Sequence, residues 1–128
     1  MVIDSSAIIA ILLGEPEGQA LASKIASATK RLMSASTALE LTVVTEHRTG
    51  LAGTDILARF LERSGITIVP FDAEQLAAAQ VACRRYGKGH HPAALNFGDC
   101  FSYALSKTSG LPLLFKGDDF ARTDVIPA

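Results

Sequence analysis

At 128 residues the chain falls in the single-domain range, so one core spanning residues 1–128 with no internal linker is expected. Apolar residues make up 48% and charged residues 20%, enough apolar surface to drive burial, which excludes a disordered chain. The net charge of −1 provides no overall field to draw in nucleic acid, so a polyanionic ligand would have to be held by local basic groups or bound cations.

Val2-Ile3 running into Asp4-Ser5-Ser6 has the chemistry of a short buried strand that stops at a helix cap. A helix from Ser6 to Leu13 follows. Its apolar run, Ala7 to Leu13, is preceded by an acid rather than a base and is too short to cross a bilayer, so a soluble cytoplasmic protein without membrane contact is expected. Gly14-Glu15-Pro16 breaks the helix, and a second runs to about Ala28 with Leu21, Ile25 and Ala28 on one face. After Lys30-Arg31, Leu32 to Ala35 reads as a strand. Ser36-Thr37 then caps a helix from about Ala38 to Arg48, in which Ser36 and Glu40 resemble a stretched capping box.

Gly50 to Gly53 ends that segment, Thr54 to Arg63 is helical, and Ile66 to Phe71 is a β-branched strand. Asp72 caps an Ala-rich helix reaching Arg85 or Tyr86. Gly87 to Pro92 reads as a loop with a mobile tip. Asn96-Phe97-Gly98-Asp99 opens a helix that ends at Ser109-Gly110, Leu111 to Phe115 is a buried strand, and Val125-Ile126 is a candidate edge strand. Strands alternating with helices imply an α/β fold: a three-layer α/β/α domain around a mostly parallel sheet of four to five strands. Cys83 and Cys100 lack the spacing of a zinc site or a disulfide framework, which fits a reducing compartment, and both read as small buried hydrophobes.

Asp4 and Asp118 each follow an apolar strand, so both fall on the C-terminal edge of the sheet, where doubly wound folds bind ligands. Glu40 and Asp99 lie in the first turns of helices that start at the same edge. Four carboxylates gathered within a few ångströms repel one another unless a divalent cation offsets their charge. All-oxygen ligands suit Mg²⁺ or Mn²⁺, and such an ion supports phosphodiester hydrolysis. Taken singly, Asp4 and Asp99 have a plainer role as helix caps. The combination of acids favours the metal.

Met1-Val2-Ile3-Asp4-Ser5-Ser6-Ala7, Ser36 to Glu40, Leu95 to Ala104 and Leu114 to Phe120 with Thr123-Asp124 together resemble the four acidic motifs of the PIN-domain family, specifically its VapC-type toxins. The resemblance covers nearly the whole chain. It implies a ribonuclease that cleaves single-stranded or looped RNA with Mg²⁺ or Mn²⁺, with Asp4, Glu40, Asp99 and Asp118 as catalytic and metal-holding acids and Asp119 as the alternative fourth. It further implies a homodimer that a cognate VapB-like antitoxin silences in a toxin–antitoxin hetero-oligomer, an antitoxin Arg being suited to bidentate pairing with these acids.

Lys88, His90 and His91 with Arg84 and Arg85 are candidate contacts to the RNA backbone, against a plain solvated loop. Ser6 and Ser102 are candidates for holding Asp4, a metal-bound water or substrate. His47 reads as a helix-surface residue, and Phe97, Phe101 and Tyr103 as core or dimer packing. Two rival readings remain. One is an inactive PIN-like interaction module whose acids only cap helices. The other is a haloacid-dehalogenase-like phosphatase, suggested by Asp4 and the late Gly117-Asp118-Asp119 and Asp124, but that family requires an acid where Ser6 stands.

Overall fold

The computed structural model describes the backbone of residues 1–128 and every side chain except that of Leu51. In chain order the elements are β1 (Val2–Ile3), α1 (Ser5–Leu12), α2 (Gly18–Ser27), β2 (Leu32–Ser34), α3 (Ala35–Thr49), α4 (Leu51–Arg63), β3 (Thr67–Val69), α5 (Ala73–Tyr86), α6 (Phe97–Ser109) and β4 (Leu113–Leu114), then a 3-10 turn at Phe120–Arg122. The four strands form one parallel sheet in the order β3-β2-β1-β4.

Alternation along these short strands builds two cores. Val2, Leu32 and Leu113 stand side by side and pack on Ala82, Tyr103 and Leu105 of α5 and α6. Ile3, Met33 and Leu114 point the other way, onto Ile8, Ile25, Leu41 and Leu57 of α1 to α4. A strand buried on both faces cannot alternate polar and apolar residues, which is why these segments read as continuous apolar runs. The architecture is the expected three-layer α/β/α, with four strands.

Several boundaries differ from the sequence reading, each for a local reason. Helix α3 begins at Ala35, directly after β2, so Ser36 and Thr37 lie inside it and the Ser36–Glu40 capping box does not form. Glu40 consequently sits in the second turn, not the first. Helix α4 starts at Leu51 and includes Gly53. Gly50, at φ +71°, makes the break alone, and Gly53 lets α4 press against Thr45 and Thr49 of α3 where a side chain would collide. Ala28 caps α2 instead of extending its face. At the C-terminus Val125-Ile126 forms no strand. A single parallel bridge joins Pro127 to Leu113, made by the Leu113 N–H to Ile126 O at 2.8 Å and the Ala128 N–H to Leu113 O at 2.9 Å.

Candidate active site

Asp4 leaves the end of β1 as the N-cap of α1, and its side chain is 2% exposed. Its Oδ2 accepts from the Ser6 backbone N–H at 2.9 Å and from the Ser6 hydroxyl at 2.6 Å. Its Oδ1 accepts from the Ser102 hydroxyl at 2.6 Å, and Ser102 in turn lies 3.2 Å from the Thr37 hydroxyl. Residue 4 continues the alternation of Val2 toward α6, which is why α6 supplies that partner. Ser6 is also held from the far side, because its oxygen accepts from the Lys116 N–H at 3.0 Å. Three donors on one buried carboxylate fix its orientation and compensate its lost hydration.

Glu40 reaches the same rim from α3. The Ser5 hydroxyl donates to its Oε2 at 3.2 Å, and its carboxyl lies against Gly98 in the first turn of α6, where any added Cβ would collide with it. Burial and the charge of Asp4 push the Glu40 carboxyl above its ordinary range, against the lowering effect of the Ser5 bond. Gly98 was not singled out from sequence. Its signal is a glycine in the first turn of an otherwise well-capped helix.

Asp99 has two engagements. It completes a capping box, with the Asn96 side chain accepting from the Asp99 N–H at 3.0 Å and the Asn96 N–H donating to Asp99 Oδ2 at 2.7 Å. It also faces the other acids. Burial raises its pKa from 3.8 to about 7, the Asn96 bond opposes this, and the charges of Asp4, Asp119 and Glu40 raise it further. Asp119 therefore acts on the cluster electrostatically, whereas Asp118 is not among the charges that perturb Asp99. Both are exposed, just before the 3-10 turn.

The cluster is looser than a few-ångström gathering. Among the described residues no three His, Cys, Asp or Glu side chains converge as metal ligands. The cause is visible at each acid: hydroxyls hold Asp4, the capping box draws Asp99 back, and Ser5 holds Glu40. The donor set nevertheless fits a hard cation. It is all oxygen, burial and neighbouring acids destabilise the ionised forms of Asp99 and Glu40, and Mg²⁺ favours a few carboxylates with much of its water retained over an all-protein cage. Asp4, Glu40, Asp99 and Asp119 are the residues that would hold it.

The loop from Gly87 to Leu95, expected to have a mobile tip, is closed by Lys88 N–H to Leu95 O at 3.0 Å, Leu95 N–H to Tyr86 O at 2.9 Å and an edge contact of His91 on Tyr86. Lys88 and His90 remain exposed, although a His90 ring nitrogen lies 2.9 Å from Arg84 O. His47 is exposed on α3. Tyr103 is core, but Phe97 is 79% exposed, stacked edge-on against Phe101. Asp124 ties the C-terminal segment to α6 through the Tyr103 hydroxyl at 2.8 Å and Lys107 at 3.3 Å. Of the cysteines, Cys100 is buried as expected, whereas Cys83 is exposed.

Residues 1–126 match the PIN domain. The chain is 51% identical over 125 residues to a ribonuclease VapC of Mycolicibacterium smegmatis, covering 98% of this chain and 97% of that protein. It is 47% identical to ribonuclease VapC30 of Mycobacterium tuberculosis, covering 98% and 95%. Among solved structures, M. tuberculosis VapC20, a sarcin–ricin loop cleaving toxin, superposes with a TM-score of 0.79 at 15% identity, covering 99% of this chain and 97% of that one. A toxin–antitoxin complex from Klebsiella pneumoniae superposes at 0.73 and 16% identity, covering 99% and 95%. An acidic rim on a four-stranded parallel sheet, matched over its length to these proteins, makes the chain a member of the PIN-domain family, among its VapC ribonucleases.

Proposed function

We propose that this protein is an endoribonuclease that acts as the toxin of a toxin–antitoxin pair, hydrolysing RNA phosphodiester bonds at the acidic rim with the help of Mg²⁺ or Mn²⁺. The observation that carries the reading is the convergence of acids remote in sequence: burial, with the charges of Asp4, Asp119 and Glu40 added to it, pushes Asp99 up to about 7. Evolutionary relatives named as ribonucleases support the reaction class. Asp4, Glu40, Asp99 and Asp119 would hold such a cation, which would supply Lewis-acid polarisation of the phosphate and a more acidic water, so that no His or Lys would be needed as the base.

The protein's own groups have distinct parts. Asp4, locked by Ser6 and Ser102, offers a fixed oxygen ligand. Ser102 is 1% exposed, so its role is to position Asp4, and direct substrate contact belongs to more open groups. Glu40 and Asp99 approach from α3 and α6, and Asp119 is preferred to Asp118 as the fourth acid because of its action on Asp99. Exposed Lys88, on the loop that leads into α6, supplies local positive charge for the RNA backbone, with exposed His90 as a second polar contact. Residues 1–128 work as one PIN-like domain.

A VapB-like antitoxin and a second copy of the chain are the proposed partners. Toxin–antitoxin complexes among the structural neighbours support the first. Leu13 and Ile56 line a groove of about 190 Å³ between α1, α3 and α4, and Leu39 and Val43 stand exposed on α3, apolar surface that a partner protein would cover. No described helix is long and apolar enough to cross a membrane.

Calorimetric titration with Mn²⁺ and a cleavage assay on single-stranded RNA test the reading. Asp4→Asn is expected to lose both metal binding and cleavage by more than about 100-fold, since even partners one step removed from a ligand cost about 10- to 100-fold. Equal metal binding by wild type and Asp4→Asn sinks it and leaves the inactive module standing. Asp119→Asn is expected to weaken Mn²⁺ binding, with Asp118→Asn close to wild type. The reverse order returns the fourth place to Asp118.

A further inference from the structure

Cys83 on α5 and Cys100 on α6 are free thiols whose sulfurs lie 2.8 Å apart. The two helices pack along each other, so the contact is built into the fold. Cys83 is exposed and Cys100 buried, and both line a cleft of about 570 Å³ whose other walls include Phe71, Leu76, Phe97 and Phe101. A small oxidant therefore reaches Cys83 from solvent and finds a second thiol directly behind it. A covalent S–S bond is about 2.05 Å long, so closure requires under about 1 Å of further approach.

Cys100 also touches the acidic rim. It follows Asp99, and its thiol donates to Asn96 O at 3.3 Å. Asn96 is the residue whose side chain and N–H hold Asp99 in its capping box. Forming a disulfide removes that thiol proton, deletes the bond to Asn96 and anchors the first turn of α6 to α5.

We propose that Cys83 and Cys100 form a reversible oxidation site whose closure displaces Asp99 and lowers activity at the rim. With hydrogen peroxide as oxidant, the Cys83 thiolate attacks one peroxide oxygen, the O–O bond breaks, the other oxygen leaves as hydroxide and takes up the proton Cys83 had released to give a first water, and Cys83 becomes a sulfenic acid. The Cys100 sulfur then attacks the Cys83 sulfur, hydroxide leaves and takes up the Cys100 proton, and the products are one disulfide and water. A dithiol reverses the reaction by exchange. The thiol chemistry stands on the Cys83–Cys100 contact alone, whereas the effect on activity rests on the ribonuclease reading proposed above.

The test treats the purified full-length chain with hydrogen peroxide, then with dithiothreitol. Wild type is expected to lose both titratable thiols, lose the mass of two hydrogens, stay monomer-sized on a denaturing non-reducing gel, and recover with dithiothreitol. Cys83→Ser should keep its Cys100 thiol through the same treatment, and Cys100→Ala should gain oxygen mass at Cys83 instead of a bridge. Peroxide that adds oxygen to Cys83 in wild type while Cys100 stays a thiol overturns the pair, as do bridges between chains. In the oxidised wild type, Mn²⁺ affinity and RNA cleavage should fall at least about tenfold, the cost of disturbing support one step from a ligand, and should be insensitive to peroxide in Cys83→Ser. A closed disulfide with unchanged metal affinity and cleavage overturns the control of the rim. If reduced wild type neither binds Mn²⁺ nor cleaves RNA, the nuclease reading fails and the control fails with it, while the thiol count still decides the pair.

Discussion

The starts of α1 and α6 present the same residue type in two different states. Asp4 caps α1 from a site that is 2% exposed, with three donors on its two oxygens, two of them short hydroxyl bonds. Asp99 stands one turn into the start of α6, half-buried, with one backbone donor and three acidic neighbours, and its carboxyl is raised to about 7. Placement at a helix start is shared, so the difference arises from the partners. In the proposed metal site the first acid would serve as a fixed ligand and the second would exchange a proton for the cation.

Asp99→Asn bears on that comparison most heavily. Folding raises the Asp99 pKa above its ordinary 3.8, so over the window from there to about 7 the folded chain holds a proton that the unfolded chain has released. Stability of the metal-free protein is then greatest below the window and falls as pH rises through it. Divalent ion affinity should run the opposite way, rising through about pH 7 as the ion displaces that proton. Asp99→Asn should flatten both slopes and reduce cleavage by more than about 100-fold, exceeding the loss for a group one step from a ligand. Thermal unfolding and Mn²⁺ calorimetry across pH 5 to 9, a range of roughly two units either side of neutrality, read both effects. A wild-type pH slope that survives in the variant would assign the proton elsewhere.

Ser102→Ala tests the fixed partner. It removes one of the three donors to Asp4 and leaves the Thr37 hydroxyl without its neighbour. Metal affinity should fall about 10- to 100-fold, as for other supports of a ligand, and stability should fall by about 1–3 kcal/mol for the buried groups left unpaired. Equal metal affinity would mean that Ser6 orients Asp4 alone.

Gly98→Ala is the mildest change. The new methyl meets the Glu40 carboxyl, the free end of a flexible side chain that can swing aside. Stability should move by less than about 1 kcal/mol, since Ala is the better helix former, while metal affinity falls about tenfold as Glu40 is displaced. A melting point and metal affinity both equal to wild type would detach Glu40 from the site.

Local patterns make much of the fold and the site legible in the sequence. Apolar runs ending in an acid marked β1 and the approach to Asp118 and Asp119, and Asn96-x-x-Asp99 carries the spacing of the capping box that opens α6. The start of α3 is masked in the sequence because Ser36 and Thr37 have the chemistry of a cap, yet the chain enters the helix at Ala35 and the Thr37 hydroxyl lies against that of Ser102. Such exchanges of a local partner for a distant one leave no mark in a window of sequence.

What the sequence alone determined was the α/β class, the two-sided burial of β1 and β4 and the residue types that could meet at their ends, because short-range periodicity and cap chemistry are properties of neighbouring residues. Tertiary structure decided the rest: that Ser102, 98 residues away, holds Asp4, that Gly98 makes room for Glu40, that Asp119 acts on Asp99, and that Cys83 faces Cys100. Those contacts depend on how α3, α5 and α6 pack against one sheet, and packing is a joint outcome of side chains that no single segment contains.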